Sequence, residues 1–444
     1  MELTRSQIDA FSESYHSDQK KEIIANAVIK NGINNVAMNR HSIAGMNYEF
    51  SEEIEVGKVT NQGKSGRCWA FAGLNNIRYS ISKTLNIKDH EFELSQNYAM
   101  FWDKLEKANF FLESIIETRN EEVSSRNVMW LLNEPTQDGG QWDMFVSLIE
   151  KYGILPKYAM PEAYHSGNSR NMNALLDFKL RDCAMKLRQQ KEKDVEALRS
   201  VKNTMLEDIY AMLCIFLGEP PKTFDFEYRD KDKQFHSDRN LTPQAFYKKY
   251  SAIDVTDYIS LINAPTEDKP FEKTYTVKFL GNIKGLRPIR YLNVENKDLK
   301  ALTIKQLKEG DPVWFGCDVG KFSDRELGIM DTELYSYKET LDTEITLSKA
   351  ERLNYCASVL THAMVFTGVD LADDKPLKWK VQNSWGDEPG EKGFFIMSDN
   401  WFDEYNYEVV IHKKHLPDRL KEAYQTEPTV LEPWDPMGSL AKAE

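Results

Sequence analysis

Apolar residues recur along the chain with two different periods. Up to about residue 265 they return every three or four positions, the stripe of an amphipathic helix. Beyond about residue 270 the period shortens toward two, the alternation of a strand. Leu74, Ile77, Ile81 and Leu85 predict a helix that opens at Cys68. Phe92–Tyr98 reads as the start of another, with Ser95 as its cap. Asp138-Gly139-Gly140 breaks the pattern, and Met144, Leu148 and Ile149 resume a helix that stops near Gly153. Val195, Leu198, Val201, Met205, Ile209, Met212 and Phe216 predict a long helix in a second helical block, preceded by a solvated, mixed-charge segment at 189–194. Phe224, Phe226 and Tyr228 alternate with polar residues, as a short strand or an extended arm would.

The strands come next. Tyr275–Phe279, Pro312–Cys317, the residues around His362, Leu377–Gln382 and Gly393–Met397 all read as extended segments of an antiparallel sheet. Around His362 both faces are apolar or β-branched, so that strand is expected to be well buried. Residues 1 to about 50 are polar, with short amphipathic stretches, and read as a helical lead-in that wraps the body. The tail from Thr426 carries prolines at 428, 433 and 436, which predicts an extended arm. Val430, Leu431, Trp434, Met437 and Leu440 give it apolar anchors. The resulting division is a lead-in and helical lobe at 1–165, a helical insertion at 166–265, a β-rich lobe at 266–425 and an arm at 426–444. The fold class is α+β.

Composition narrows the function classes. The 444 residues exceed what one simple core supports. A net charge of −13 disfavours nucleic acid as the main partner, because phosphate binding needs clustered Lys and Arg. No basic-then-apolar leader and no run of about eighteen apolar residues occur, so no membrane span is predicted. Five scattered cysteines without a CxxC pair suit free thiols in a reducing cytosol, and no metal or cofactor is called for.

Candidate chemistry begins at Gln62-Gly63-Lys64-Ser65-Gly66-Arg67-Cys68-Trp69, a glycine-punctuated loop running into a helix. A thiol at a helix N-terminus sits near unpaired N–H groups, an environment expected to lower its pKa. A nucleophilic thiol needs a base, and the base needs a third group to hold its ring. His362 and Asn383 supply those types from neighbouring strand patterns. The Gln62 amide, with the Cys68 N–H, suits a developing oxyanion.

These segments fall in the order found in papain-like cysteine peptidases: Gln62, Ser65–Phe71, Leu94-Ser95-Gln96, Asp138-Gly139-Gly140, His362 and Asn383-Ser384-Trp385-Gly386. Ser65 stands where secreted members carry a disulfide cysteine, and Arg67 replaces the usual Ser or Ala. His362 lies 294 residues beyond Cys68, from position 68 to position 362. Roughly 130 to 150 is usual, so the surplus fits a large insertion between the lobes. That layout, the tail Pro433–Ala441 and the segment Pro312–Gly320 resemble the bleomycin hydrolase / aminopeptidase C family.

The resemblance implies a two-lobe fold, a helical lobe facing an antiparallel β-barrel-like lobe, and an intracellular, cytoplasmic aminopeptidase acting on peptides. It implies Cys68 as nucleophile, His362 as base, Asn383 as its orienter, Gln62 at the oxyanion and Trp385 as a shield. Gly139 and Gly140 match glycines that pair with substrate backbone, and Leu440 and Ala441 belong to an arm lying in the cleft. Extra residues Lys442-Ala443-Glu444 follow that arm. A homohexamer is expected on the same ground. The competing readings are an endopeptidase whose tail does not cap the cleft and a chamber-forming, nucleic-acid-binding scaffold.

Overall fold

The computed structural model describes residues 1–88, 92–190 and 194–442. The segment 191–193 of the mixed-charge stretch, and Ala443-Glu444, lie outside the described residues.

Two packed cores organise the chain. The first gathers the helices Cys68–Thr84, Gln96–Glu117, Trp142–Tyr152, Arg170–Gln189 and Val195–Leu217. The second lies on the other side of the sheet, beneath the helices Asn296–Lys308, Asp399–Tyr405 and Asp418–Tyr424. The middle of the sheet runs in the order Tyr258–Ile262, Asn406–His412, Val313–Cys317, His362–Ala372, Lys375–Gln382, Phe394–Ser398, each antiparallel to its neighbour. Side chains alternate across a strand. In His362–Ala372, Ala363 and Val365 therefore join the helical core, while Met364 and Phe366 join the sheet core. The fold is α+β.

The helix Cys68–Thr84 is enclosed almost all round rather than along one stripe. Asn76 Nδ2 donates to the Pro312 carbonyl at 3.3 Å and Trp314 Nε1 to the Trp69 carbonyl at 3.1 Å, so it is pinned to the strand Val313–Cys317. Ser95 caps Gln96–Glu117 by accepting from the Tyr98 N–H. Gly153 ends Trp142–Tyr152 at a positive φ of 71°, a conformation that suits glycine.

Several expectations change. Residues 224–241 form a hairpin, Phe224–Arg229 against Phe235–Leu241, so of the two readings of Phe224–Tyr228 the short strand holds and the stretch 166–265 is not purely helical. On Val195–Leu217 the stripe read from hydrophobicity does face the core: Leu198 and Ile209 are buried in it, Val195, Val201, Met205, Met212 and Phe216 pack against it half-buried, and Lys202, Leu213 and Leu217 are buried beside them. Lys202 is buried there because Glu113 and Asn109 on Gln96–Glu117 accept from its Nζ at 2.6 and 2.7 Å. The lead-in does not wrap the body over its whole length. Arg5–His16 and Gln19–Asn31 bury no residue, although Lys21 pairs with Asp342 at 3.0 Å; packing against the body starts at Ile33 and Ala37, with Met38 bridged to Tyr335. In the tail, Thr429–Leu431 pairs in parallel with Lys273–Val277. Leu431, Met437 and Leu440 are buried anchors, whereas Val430 is exposed.

Candidate active site

The site forms where the two cores meet. Cys68 is the first residue of its helix and 1% exposed. Strand pairing brings the other groups to it. Gln382 lies opposite Val365, so Asn383, one residue further along, comes beside the start of the His362 strand. His362 Nε2 donates to Asn383 Oδ1 at 2.8 Å, which leaves Nδ1 as the acceptor nitrogen of the neutral ring. The next residue, Ala363, donates its N–H to Cys68 Sγ at 3.4 Å. The Ser384 N–H also donates to Asn383 Oδ1 at 2.8 Å. The Trp385 ring lies 4.8 Å from the imidazole, centroid to centroid.

The electrostatics differ from the sequence expectation. Burial pushes the Cys68 thiol up to about 12, although the N–H groups of Ala363, Trp69 and Cys68 pull the other way. Burial likewise pushes His362 down to about 4, against the Asn383 hydrogen bond. The lowered thiol pKa anticipated at a helix N-terminus is therefore overturned. Desolvation of a fully enclosed sulfur outweighs the backbone donors, and both groups favour their neutral forms.

Gln62 sits beside this pair. Its Oε1 accepts from Ser384 Oγ at 2.6 Å, and its Nε2 donates to the Ser65 carbonyl at 2.6 Å. An amide nitrogen carries two N–H groups, so one remains for another acceptor. Arg67, the unusual residue before Cys68, is buried and its guanidinium binds Glu162 at 2.8 Å and Ser65 Oγ at 2.9 Å.

Asp138, passed over for the glycines beside it, is the hub of the loop. Its carboxylate accepts from Gly66 N–H at 2.9 Å, Asn173 Nδ2 at 2.8 Å, Ser169 Oγ at 2.5 Å and the buried Lys104 Nζ at 2.7 Å. Its carbonyl accepts from Trp69 Nε1 at 2.8 Å. These donors, Lys104 above all, hold its carboxyl below the ordinary carboxylate range despite burial. Lys107, one turn on, donates to the Gln137 and Gly139 carbonyls at 2.8 and 2.6 Å. Two lysines on one helix face thus fix residues 136–139. The sequence signal was an acid before a Gly-Gly pair and lysines at a spacing of three. Charge on an otherwise apolar helix reads equally well as a solvated face.

The two glycines do different things. A Cβ at Gly139 would come within 2.5 Å of the Ala441 backbone and 2.7 Å of Leu440 Cβ. A Cβ at Gly140 would strike the Trp69 ring at 2.6 Å. Gly139 therefore faces the C-terminal segment and Gly140 faces the core. A Cβ at Gly66 would also meet the Ala441 carbonyl, at 2.9 Å. The segment is held by Gln141 Nε2 donating to the Ser439 carbonyl at 3.1 Å, by Tyr291 Oη donating to the Met437 carbonyl at 3.2 Å and by a Lys442–Glu134 ion pair at 2.5 Å. Beside it lies a cavity of about 250 Å³ lined by Trp130, Glu134, Gln137, Val359, Cys356 and Leu440.

The model of the Peptidase C1-like family matches residues 2–438. The chain belongs to the Peptidase C1-like family. Within it, the chain is 51% identical over 442 residues to Aminopeptidase C of Listeria innocua, covering 99% of both. It is 48% identical to Aminopeptidase C of Streptococcus thermophilus over 430 residues, 96% of each. Aminopeptidase G of Lactobacillus delbrueckii subsp. lactis is 43% identical over 435 residues, covering 98% of this chain and 99% of that one. The crystal structure of PepW from Lactobacillus rhamnosis HN001 superposes with a TM-score of 0.97 at 51% identity, over 99% of each chain.

Proposed function

We propose that this chain, a cysteine aminopeptidase by family and by full-length similarity, hydrolyses peptides through a thioester on Cys68. The observation that carries the assignment is the convergence of three groups from distant segments. Asn383 holds the His362 ring through Nε2, and the neighbouring Ala363 N–H lies on the Cys68 sulfur. At rest the pair is neutral, so the proton moves as the substrate carbonyl arrives. Cys68 Sγ attacks the carbonyl carbon while its proton passes to His362. The oxyanion is met by the Cys68 N–H and the second N–H of Gln62 Nε2. As the tetrahedral carbon collapses, the C–N bond breaks and His362 returns the proton to the leaving amine. Water, deprotonated by His362, then attacks the thioester carbon; the C–S bond breaks, the carboxylic acid leaves, and His362 returns its proton to the Cys68 sulfur. Trp385 covers the His362–Asn383 bond and keeps it dry.

The C-terminal arm restricts the cleft in this reading. Leu440 and Ala441 run against Gly139, where backbone of a longer substrate would otherwise lie. Only the N-terminal residue of a peptide then fits before the scissile bond. The arm's close seat beside Gly66 and Gly139 favours this reading over an endopeptidase with a displaced tail. The enzyme is further proposed to act in the cytoplasm as a homohexamer. Ile8, Phe11, Ile23 and Ile29 on the lead-in helices are exposed and offer apolar surface for another copy. No described helix is long and apolar enough to cross a membrane.

Replacing the nucleophile tests the assignment. Cys68→Ala is expected to cut turnover by on the order of 10⁴-fold or more while leaving the melting transition in place. Retained turnover in the folded variant would reject it.

A further inference from the structure

The turn at 325–328 joins the short strands Ser323–Asp324 and Ile329–Met330. Ile329–Met330 pairs with Phe394–Ser398, and the Gly390 N–H donates to the Glu326 carbonyl at 3.0 Å. The turn is thus fixed against the segment that follows Trp385. From it the Arg325 guanidinium reaches over the Trp385 ring, 4.6 Å from its centroid. The same indole lies 4.8 Å from His362 and meets Phe395 edge-on at 5.7 Å. One aromatic ring therefore contacts both a permanent cation and the group that becomes a cation during catalysis. A guanidinium over an indole face is held by the ring quadrupole, and it orders the ring it covers.

We infer that Arg325 is a positioning residue for the reaction, holding Trp385 over the His362–Asn383 hydrogen bond and opposing a second positive charge on the imidazole. The inference rests on His362 being the base. Other ionisable groups face the imidazole from each packed element. Cys68 comes from the helix, with Asp138 behind it, and that carboxylate is neutralised by Lys104 at 2.7 Å. Cys317 pairs with His362 across the sheet, and the next residue, Asp318, accepts from the Ser358 and Thr361 hydroxyls at 2.7 and 3.3 Å. Burial disfavours the imidazolium first, and the positive charge of Arg325 adds to it in the same direction. It lies on the exposed rim, so its charge acts through partly screened surroundings and a modest shift is expected.

The test is the pH dependence of kcat/KM for the wild type, Arg325→Gln and Arg325→Lys. Removing the charge makes the imidazolium easier to form, so the limb set by His362 should move upward in Arg325→Gln. The expected shift is on the order of half a pH unit. Arg325→Lys keeps the charge and should leave the limb near its wild-type position. A merely structural role would lower the plateau of both variants without moving the limb. An unmoved limb in Arg325→Gln, or an equal shift in Arg325→Lys, overturns the inference. His362→Ala is the parallel control. Full activity there would remove the base assignment and this inference with it. An inactive His362→Ala beside an unmoved limb removes only the role of Arg325.

Discussion

Cys68 and His362 could be singled out in the sequence because each is a reactive residue in an unusual local setting, a thiol at a helix start and a histidine on an apolar strand. The groups that hold them are less visible. Asp138, Lys104, Lys107 and Glu162 are ordinary charged residues whose pairing depends on contacts across the fold. The thiol's ionisation was misjudged for a related reason. A helix start is local, but the burial that pushes Cys68 up comes from the packed surroundings. Arg67 looked like a departure from a motif, and it becomes intelligible once Glu162 faces it. Asp138 offers the clearest residue-level prediction. Asp138→Asn leaves Lys104 as an unpaired buried charge, and breaking such pairs costs about 3–5 kcal/mol. Chemical denaturation is expected to show a loss of that order, with turnover falling as the loop before Cys68 loosens. Unchanged stability would mean that Asp138 is not the hub described.

At the scale of elements, the strand His362–Ala372 was legible because an unbroken apolar and β-branched run reads as a strand covered on both faces, and residues 362–369 are buried. The helix Val195–Leu217 was legible in existence and in the face it turns to the core, but not in the buried Lys202, which takes its position only through Glu113 and Asn109. The hairpin at 224–241 was ambiguous because its second strand, Phe235–Leu241, is polar and largely exposed. The strand Asn406–His412 carries a fully enclosed Glu408, which burial pushes up to about 8. Its folded pKa lies above the unfolded value, so the folded state keeps a proton that the unfolded chain releases. Stability is therefore lost as pH rises from about 4.5 toward about 8. Glu408→Gln removes that linkage. It is expected to stabilise the protein at neutral pH by up to about 3 kcal/mol and to leave stability near pH 4 little changed. Melting curves at acid and neutral pH check this, and an equal effect at both would contradict it.

At the scale of the whole molecule, the site exists because two cores share one sheet. The helix bearing Cys68 belongs to the first, and the strand bearing His362 contributes side chains to both. A long run of helices and a hairpin separates the two in sequence, yet the nucleophile helix and the strand remain direct neighbours. That closeness was reachable from the order of motifs, not from periodicity. Assembly belongs to this scale too. The first two helices bury nothing within the chain, although Ile8, Phe11, Ile23 and Ile29 line them. Light scattering of the intact protein is expected to give six times the mass of one chain, and removal of residues 1–31 to lower it. A monomer that is indifferent to that removal would exclude the proposed homohexamer.

The central claim joins the Cys68–His362 pair to an arm that admits only a peptide's first residue. The direct measurement is mass spectrometry of the products from one peptide offered with a free and with an acetylated N-terminus. The account predicts stepwise loss of single N-terminal residues from the free peptide and an intact acetylated one, with the acetylated peptide becoming cleavable when residues 441–444 are removed. Equal cleavage of both peptides by the full-length enzyme would contradict it.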